Sequence, residues 1–487
     1  GDPDNFEYPR YDLDICFFRV YEKGKPVKIE HHLKWSPAGS AENELVFVSG
    51  HPGRTNRLAT SDELAHMRDQ SYPYLLERLY RMEVMLSVFS GRSEENARQA
   101  REQFFTVQNS RKARDGGLGG LLDPAIMHRK REAERKLQEA ISKLAHGSEA
   151  LGAWPKVAEA MKTRSAHLKR FTVLEAGAGF QCSHFDTART LVRAAAEKAK
   201  PNGERLREFR DSNLQSLELE LFSEEPLYPD FERVRLASAL TFLAEELGFN
   251  NKLVLAVLAN KSPVERAAEL VNGTKMGEVA ERKKLYEGGA KAVNASTDPM
   301  IQLAKLVDGE SRAERKVMES DVDEVKRQAY AQIATAKFAV EGASNYPDAT
   351  FTLRLAFGTV KPYKENGKTI PAMTTLAGLY ERAKEHDNKP PFDLPQRWIE
   401  RKPKLDLNTP FNFVCTADII GGNSGSPVIN KNGELVGIIF DGNIQSLVLD
   451  FIYTDEQARA VSVDSRGIIE ALRKVYDAGA LADELQK

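Results

Sequence analysis

The chain has 487 residues, of which 41% are hydrophobic, and it carries a formal net charge of −2. It is long enough for roughly three domain-sized units at ~150 residues each. Its mixed charge lacks the basic excess of a nucleic-acid-binding protein, and no apolar run approaches the ~20 residues of a membrane-spanning helix, so we expect neither partner. Its three cysteines are odd in number and lack the spacing of a zinc motif, so we expect mostly buried thiols and no disulfide framework: Cys16, Cys182 and Cys415.

Residues 1–60 show the pattern of strands. Residues 15–21 are β-branched and aromatic, and the turn-forming residues 22–26 follow them. A second apolar run, residues 45–50, ends at the sequence His-Pro-Gly of residues 51–53. Both runs are of strand length and end at turn residues, so they predict two strands.

Residues 61–345 have a helical composition, rich in Ala, Leu, Glu, Lys and Arg. Asp123 followed by Pro124 is typical of a helix start. A second helix is predicted to end at Gly248, after four leucines at helical spacing: Leu236, Leu240, Leu243 and Leu247. We interpret these leucines as core residues and the charges between them as a solvated face. No repeat of fixed period occurs, so we expect an irregular helical domain.

Residues 346–487 return to the pattern of strands. Residues 350–358 alternate with a period of two, Asn432-Gly433 predicts a turn between two strands, and a final helix is expected to begin at Ser465. Strands, then helices, then strands indicate an α+β fold in which a helical insertion interrupts a β domain.

Residues 421–427 read Gly-Gly-Asn-Ser-Gly-Ser-Pro and carry the strongest chemical signal of the chain. A serine between glycines, in a loop between strands, can present a nucleophilic hydroxyl. The glycines let the backbone turn sharply, so the N–H groups of Gly422 and Ser424 can point at one oxyanion. The alternative interpretation is a Gly-Ser turn within a hairpin. We favour a serine hydrolase with Ser424 as the nucleophile.

A serine nucleophile needs a general base and a carboxylate that orients the base. Asp14 stands immediately before the apolar run of residues 15–21, where a strand would fix its position. Asp12 is an equal candidate, and either aspartate could merely cap a strand. The nine histidines form no metal-binding motif; the adjacent His31 and His32 would point in opposite directions on a strand. We therefore expect no metal and no nucleotide cofactor.

Several segments resemble, in the same order, the bacterial dipeptidyl-peptidase 7 and dipeptidyl-peptidase 11 family, serine peptidase family 46. These segments are residues 4–10 (Asp-Asn-Phe-Glu-Tyr-Pro-Arg), Asp14, residues 18–21, residues 51–57 and residues 421–427. The resemblance covers essentially the whole chain, and it implies a chymotrypsin-like double β-barrel with a large inserted helical domain. Residues 1–60 would be the C-terminal part of an incomplete first barrel, residues 61–345 a helical lid domain, and residues 346–487 the second barrel with a C-terminal helix.

The resemblance also implies a role for individual residues. Ser424 would be the nucleophile, Asp14 would orient the base, and the N–H groups of Gly422 and Ser424 would form the oxyanion hole. Four residues would hold the free N-terminal amine of the substrate: Asn5, Phe6, Asn109 and Asp441. Phe6 stands where the family often has Trp. An ammonium held by carbonyls and a carboxylate at a fixed distance from the nucleophile would let the enzyme count two residues. For Asn109, an ordinary helix-end amide is the alternative.

Gly442 carries the expectation about specificity. The branch of the family that cleaves after Asp or Glu has Arg at this position, and no cation stands here. The resemblance therefore implies the broader branch, with an aliphatic or aromatic residue preferred at the second position of the peptide. Ile444 replaces a Trp of many relatives.

The catalytic histidine of the family is expected upstream of Asp14, and we assign no base to His31, His32 or His51. The chain starts at Gly1 without an initiator methionine or a signal peptide. We expect a fragment or a processed product that lacks roughly two hundred residues, judging by domain size. The parent protein is predicted to be an enzyme, and this polypeptide alone to be inactive or poorly folded.

The leading hypothesis is a serine dipeptidyl aminopeptidase that acts on peptides with a free N-terminus. A trypsin-like periplasmic endopeptidase and a non-catalytic peptide-binding homologue are the alternatives. The family resemblance also implies a periplasmic or secreted location and a homodimer.

Overall fold

This computed structural model describes residues 4–145, 147–342 and 346–487. Contacts within the chain divide it into two compact units. The β unit comprises Gly1–Leu64, Gln108–Arg135 and Ala343–Lys487, and the helical unit comprises Ala65–Val107 and Lys136–Gly342. The predicted three-part division stays a prediction. The predicted division differs from these two units in one respect: residues 108–135, which are helical as expected, belong to the β unit. The predicted boundary at residue 345 lies outside the described residues.

The strands of the described chain all lie in the β unit. They are β1 (Tyr21–Glu22), β2 (Lys25–Pro26), β3 (Lys34–Trp35), β4 (Leu45–Gly50), β5 (Arg354–Thr359), β6 (Tyr363–Glu365), β7 (Lys368–Ile370), β8 (Met373–Thr375), β9 (Pro410–Cys415), β10 (Pro427–Asn430), β11 (Glu434–Gly442) and β12 (Ala460–Asp464).

Eight of these strands form one sheet in the order β5-β4-β10-β11-β12-β9-β8, with the short β3 beside β11. Pairing along this order is antiparallel, and β3 pairs in parallel. An isolated antiparallel bridge between Val360, which directly follows β5, and Cys415 of β9 connects the first strand of this order to β9. The sheet therefore closes on itself around an apolar core, which includes Val46, Val48, Phe413, Val428, Val436 and Ala460.

Two strand predictions need correction. In the described segment 11–20 there is no strand, and Phe18 is 89% exposed; only the predicted turn survives, as the hairpin of β1 and β2. Residues 45–50 form a strand as predicted. β4 pairs with β5 and β10, so it lies in the same sheet as residues 354–464, and the assignment of residues 1–60 to a first barrel stays a prediction. An apolar run reveals a strand without revealing its partner.

The second correction concerns residues 350–358. The regular strand begins only at Arg354, and its larger apolar side chains, Leu355 and Phe357, are exposed. The small residues Ala356 and Gly358 face the core, and a Cβ at Gly358 would lie 2.2 Å from the backbone nitrogen of Ala417. This close approach of two backbones selects small residues on the inner face.

The helices are α1 (Ser61–His66), α2 (Tyr72–Ser90), α3 (Glu94–Leu122), α4 (Pro124–Ile141), α5 (Gly147–Leu151), α6 (Ala153–Val173), α7 (Ser183–Glu197), α8 (Asp211–Leu221), α9 (Pro229–Leu247), α10 (Lys252–Leu258), α11 (Pro263–Gly273), α12 (Val279–Ala295), α13 (Pro299–Val317), α14 (Glu324–Glu341), α15 (Leu376–Glu385), α16 (Gln396–Arg401), α17 (Ser465–Glu470) and α18 (Gly479–Leu485).

The predicted helix signals are confirmed. The carboxylate of Asp123 accepts the N–H of Ala125 at 2.8 Å at the start of α4. Leu236, Leu240 and Leu243 are buried in the core of the helical unit, and α9 ends at Gly248, which has a φ of 90°. Helices together with an antiparallel sheet confirm the α+β class. Across the part of the chain that the structure describes, no helix is both long enough and apolar enough to cross a bilayer.

Candidate active site

Ser424 lies in the loop between β9 and β10, and its side chain is exposed. Its hydroxyl donates a hydrogen bond to the carbonyl of Phe440 at 3.1 Å. The loop is fixed on β11 directly after the serine, because Gly425 N–H donates to Ile439 O at 2.7 Å and Ile439 N–H donates to Ser426 O at 3.1 Å. A rigid strand therefore presents a solvent-accessible hydroxyl, as the sequence predicts for a nucleophile.

Gly422 packs on the turn that follows β4. Its φ is 107°, and a Cβ here would lie 2.5 Å from the carbonyl oxygen of His51. The N–H of Gly53 donates to the carbonyl of Gly421 at 2.8 Å. Only glycine fits both this backbone conformation and this contact. The structure thus joins residues 51–53 to the loop of residues 416–426, which we call the serine loop. The oxyanion-binding role of the Gly422 and Ser424 N–H groups stays a prediction.

The four residues predicted to hold a substrate amine lie in two hydrogen-bonded pairs. The side-chain amide of Asn5 donates to the side-chain oxygen of Asn109, and the backbone N–H of Phe6 donates to Asp441 Oδ2 at 3.0 Å. Asp441 directly follows Phe440, which accepts the hydroxyl of Ser424. The structure therefore joins the four residues in pairs and places Asp441 one residue along β11 from the carbonyl that accepts the Ser424 hydroxyl. Their role in amine binding stays a prediction.

Arg10 is a member of this site that the sequence analysis missed. Its side chain is 2% exposed, and it pairs with Asp441 Oδ2 at 3.0 Å and with Asp12 Oδ2 at 2.8 Å. Its Nη1 also donates to the carbonyl of Asp4, and its guanidinium lies 5.4 Å from the centre of the Phe440 ring. Arg10 therefore fixes the Asp441 carboxylate. The signal that could have found it was its place in the segment of residues 4–10, although nothing there indicates burial.

Asp12 and Asp14, the two candidates for the orienting carboxylate, are placed differently. The carboxylate of Asp12 pairs with Arg10, and its backbone N–H donates to Asn412 Oδ1 at 2.8 Å. These contacts give Asp12 a structural role. The side chain of Asp14 is exposed, and its neighbours Leu13 and Ile15 pack in the apolar cluster that includes Phe440. The orienting role of Asp14 stays a prediction.

Gly442 has little free space in the direction of a side chain. A Cβ at this position would lie 2.3 Å from Ser446 Oγ, and the N–H of Gly442 donates to Asp441 Oδ1 at 2.8 Å. Close packing therefore also requires glycine here, which qualifies the expectation that this position simply leaves room for a large group. The nearby Arg459 is 1% exposed and donates its guanidinium N–H groups to backbone carbonyls, including those of Lys361 and Pro362.

An ion pair anchors the first half of the serine loop. Arg57 donates to both carboxylate oxygens of Asp418, each at 2.6 Å, and to the carbonyl of Leu449 at 2.8 Å. Burial lowers the pKa of Arg57, but its hydrogen bonds to Asp418 outweigh this, so the net shift of the pKa is upward. The Arg57 guanidinium therefore stays charged, and its two hydrogen bonds to Asp418 hold this part of the loop.

Among the described residues, one group of side chains that could hold a metal ion lies in the helical unit: Cys182, His184 and Glu232. The sequence analysis did not expect this group.

Comparison with known proteins places the whole chain in one family. The model of the peptidase S46 family matches residues 1–487. The Asp/Glu-specific dipeptidyl-peptidase of Shewanella putrefaciens is 27% identical over all of this chain and 72% of that protein, and the dipeptidyl-peptidase 7 of Phocaeicola vulgatus is 26% identical over all of this chain and 70% of that protein. The crystal structure of Porphyromonas endodontalis DPP11 in complex with the dipeptide Arg-Glu has the same fold, with a TM-score of 0.79 and 21% identity over all of this chain and 72% of that one. The chain belongs to the peptidase S46 family.

Proposed function

We propose that the protein is a serine dipeptidyl-peptidase that releases dipeptides from the free N-terminus of peptides through acyl transfer to Ser424. One observation carries the proposal. The exposed hydroxyl of Ser424 bonds to Phe440, and the next residue, Asp441, belongs to the group of polar residues expected to bind an amine. We also propose that the closed sheet of the β unit is the second barrel of a chymotrypsin-like double barrel.

In the first step, the oxygen of Ser424 attacks the carbonyl carbon of the second peptide residue while a base removes the hydroxyl proton. The hydroxyl must then give up its hydrogen bond to Phe440. The N–H groups of Gly422 and Ser424 stabilise the oxyanion. Asp14 orients the base, which is an imidazole that we assign to none of the histidines of this chain. The tetrahedral intermediate then collapses: the peptide bond breaks, and the base gives its proton to the amine of the remaining peptide, which leaves. Water then hydrolyses the acyl-enzyme, frees the dipeptide and restores the Ser424 hydroxyl.

The amine site sets the length of the product. Asn5 and Asn109 supply amide oxygens, Phe6 supplies an apolar wall, and Asp441 supplies the negative charge for the substrate ammonium. Because Arg10 also binds Asp441, the carboxylate is already fixed before the substrate arrives. A bound amine then lies at a set distance from Ser424, and the second peptide bond reaches the hydroxyl.

We further propose that the second substrate residue is aliphatic or aromatic. Gly442 supplies no cation for an acidic side chain, and the guanidinium of Arg459 is engaged by backbone carbonyls. The relatives include both Asp/Glu-specific enzymes and dipeptidyl-peptidase 7 enzymes, so their names leave this preference open. A periplasmic or secreted location and a homodimer are proposed from the family resemblance, and cell fractionation and analytical ultracentrifugation test them.

The test uses the intact protein as its gene encodes it. A fluorogenic peptide with a free N-terminus should be cleaved after its second residue, and its N-acetylated form should be inert. Ser424→Ala should lower kcat by at least about 10⁴-fold and abolish labelling by an organophosphate. Ser426→Ala is the matched control, since Ser426 is buried two residues away, and it should still be labelled. Cleavage of acetylated peptides would indicate an endopeptidase, and peptide binding without labelling would indicate a non-catalytic homologue.

A peptide panel that varies only the second residue tests the specificity. Leu, Phe and Tyr should give higher kcat/KM than Asp and Glu. The reverse order would contradict the proposed preference and leave the dipeptidyl-peptidase proposal intact.

A further inference from the structure

Three side chains of the helical unit bring sulfur, nitrogen and oxygen donors together. Cys182 precedes α7, His184 lies in the first turn of α7, and Glu232 lies in the first turn of α9. Cys182 Sγ lies 3.1 Å from Glu232 Oε2, His184 Nδ1 lies 3.3 Å from the same oxygen, and the sulfur and nitrogen are 3.9 Å apart. All three residues are buried.

These separations suit the ligands of one zinc ion. Bonds of about 2.0–2.1 Å to nitrogen and oxygen and about 2.3 Å to sulfur, at tetrahedral angles, place neighbouring ligand atoms roughly 3.3–3.6 Å apart. The three distances scatter around this range. Sulfur with imidazole nitrogen and a carboxylate is also a donor set that zinc accepts, whereas calcium and magnesium prefer oxygen ligands.

The surroundings hold the carboxylate toward the other two donors. Glu232 Oε1 accepts hydrogen bonds from Arg235 Nη1 at 2.6 Å and from Ser183 Oγ at 3.2 Å. Its Oε2 faces the thiol and the imidazole, and it also accepts the backbone N–H of Ser183 at 2.6 Å and that of His184 at 3.4 Å. Hydrogen bonds from neighbouring residues to the metal-binding side chains are typical of metal sites, because they fix the orientation of each donor atom. Cys182 belongs to the main apolar core of the helical unit, with Phe180 and Phe185, so the surroundings are dry and strengthen a bond to a cation.

We propose that Cys182, His184 and Glu232 bind a zinc ion that joins the start of α7 to α9. Binding breaks the S–H bond of Cys182 and forms a zinc–sulfur bond, and the thiol proton leaves to solvent. His184 binds through Nδ1 and Glu232 binds through Oε2, so the chain supplies three ligands. The role is structural, because the site lies in the core of the helical unit. The competing account is a metal-free cluster in which the thiol and the imidazole donate to the carboxylate.

The experiment measures metal in the intact protein, which is purified without chelator or affinity metal. Elemental analysis should find about one zinc per chain, and the chelated protein should recover its lost thermal stability when zinc is returned. Cobalt added to the chelated protein should give the near-ultraviolet charge-transfer band of a cobalt–thiolate bond. Peptidase activity is not a readout, so the result is independent of the proposed function.

Variants assign the donors. Cys182→Ser and His184→Gln should each lose the bound zinc, and Cys182→Ser should lose the cobalt band. Cys415→Ser is the matched control, since Cys415 is a buried thiol of the β unit, and it should keep both. If the variants fail to fold, the cobalt titration of the unmodified protein still decides. Protein that holds no zinc, shows no cobalt band and gains no stability from zinc would overturn the proposal in favour of the hydrogen-bonded cluster.

Discussion

At the scale of single residues, Arg10 fixes the orientation of the carboxylate in the candidate amine site. Its buried guanidinium binds the carboxylates of Asp12 and Asp441 and thereby ties the N-terminal segment to β11. Phe6 supports the same link with an N–H bond to Asp441, for which it adopts a left-handed backbone with a φ of 59°. A non-glycine residue with a strained backbone, such as Phe6, and a buried cation, such as Arg10, that contact the same carboxylate are typical of a functional site. We therefore interpret Arg10 as a positioning residue.

Replacing Arg10 with Met should weaken both folding and substrate binding. The change leaves Asp441, whose side chain is 10% exposed, without its cation, so the free energy of unfolding should fall by about 3 kcal/mol. In the folded fraction, KM for a peptide with a free N-terminus should rise more than kcat falls, because Asp441 loses its fixed orientation. Urea unfolding and steady-state kinetics measure the two effects. Arg19→Met is the control, because Arg19 pairs with Glu484 on the surface and should change neither quantity measurably. Equal behaviour of both variants would contradict the role of Arg10.

At the scale of elements, the serine loop shows where sequence patterns suffice. The glycines of residues 421–427 predicted a sharp turn, and Gly422 indeed has a positive φ and contacts the backbone of His51. By contrast, residues 15–21 have the composition of a strand, yet no neighbouring strand pairs with the described segment 11–20. Turn chemistry is local, whereas a strand exists only with a partner, and the sequence of one segment does not specify that partner.

Gly422→Ala should inactivate the protein through this loop. The added Cβ would lie 2.5 Å from His51 O at a φ of 107°, so the loop must shift, at a cost of roughly 1–3 kcal/mol. The shift would move the N–H groups expected to bind the oxyanion, and kcat should fall while KM changes little. Gly421→Ala is the matched control, because no atom lies within 4 Å of a Cβ there, and it should retain activity. Loss of activity in both variants would point to flexibility of the loop as the requirement.

At the scale of the whole molecule, the sequence predicted the α+β class and the regions of helix and strand, because hydrophobic periodicity reports burial directly. It missed groupings that need distant residues. Residues 45–50 join a sheet whose other long strands come about three hundred residues later, a connection that a local pattern does not contain. Arg10 with Asp441, and Glu232 with Cys182, are likewise separated by long stretches of chain. The serine loop was found because its chemistry is contiguous in sequence.

Acid should destabilise the helical unit through Glu197. This carboxylate is buried and accepts hydrogen bonds from Lys200 at 2.8 Å, Arg312 at 2.7 Å and the N–H of Leu206 at 2.9 Å. Burial raises its pKa, but these bonds together outweigh burial and lower the pKa from 4.5 to about 2. A carboxylate whose pKa is depressed by folding contributes stability above the pKa of the unfolded chain, and this stability is lost as the pH falls from about 4.5 to about 2.

Urea unfolding of the chain, followed by circular dichroism between pH 6 and pH 2.5, measures this loss. Glu197→Gln should be less stable than the unmodified protein at pH 6 and should show a flatter dependence on pH, because its amide does not titrate. Glu95→Gln is the control: the pKa of Glu95 is also lowered to about 2, by Arg98, but both side chains are more than half exposed, and solvent screens the pair. If Glu95→Gln flattened the pH dependence as much as Glu197→Gln, acid sensitivity would arise from surface charge, and the buried network around Glu197 would not be its source.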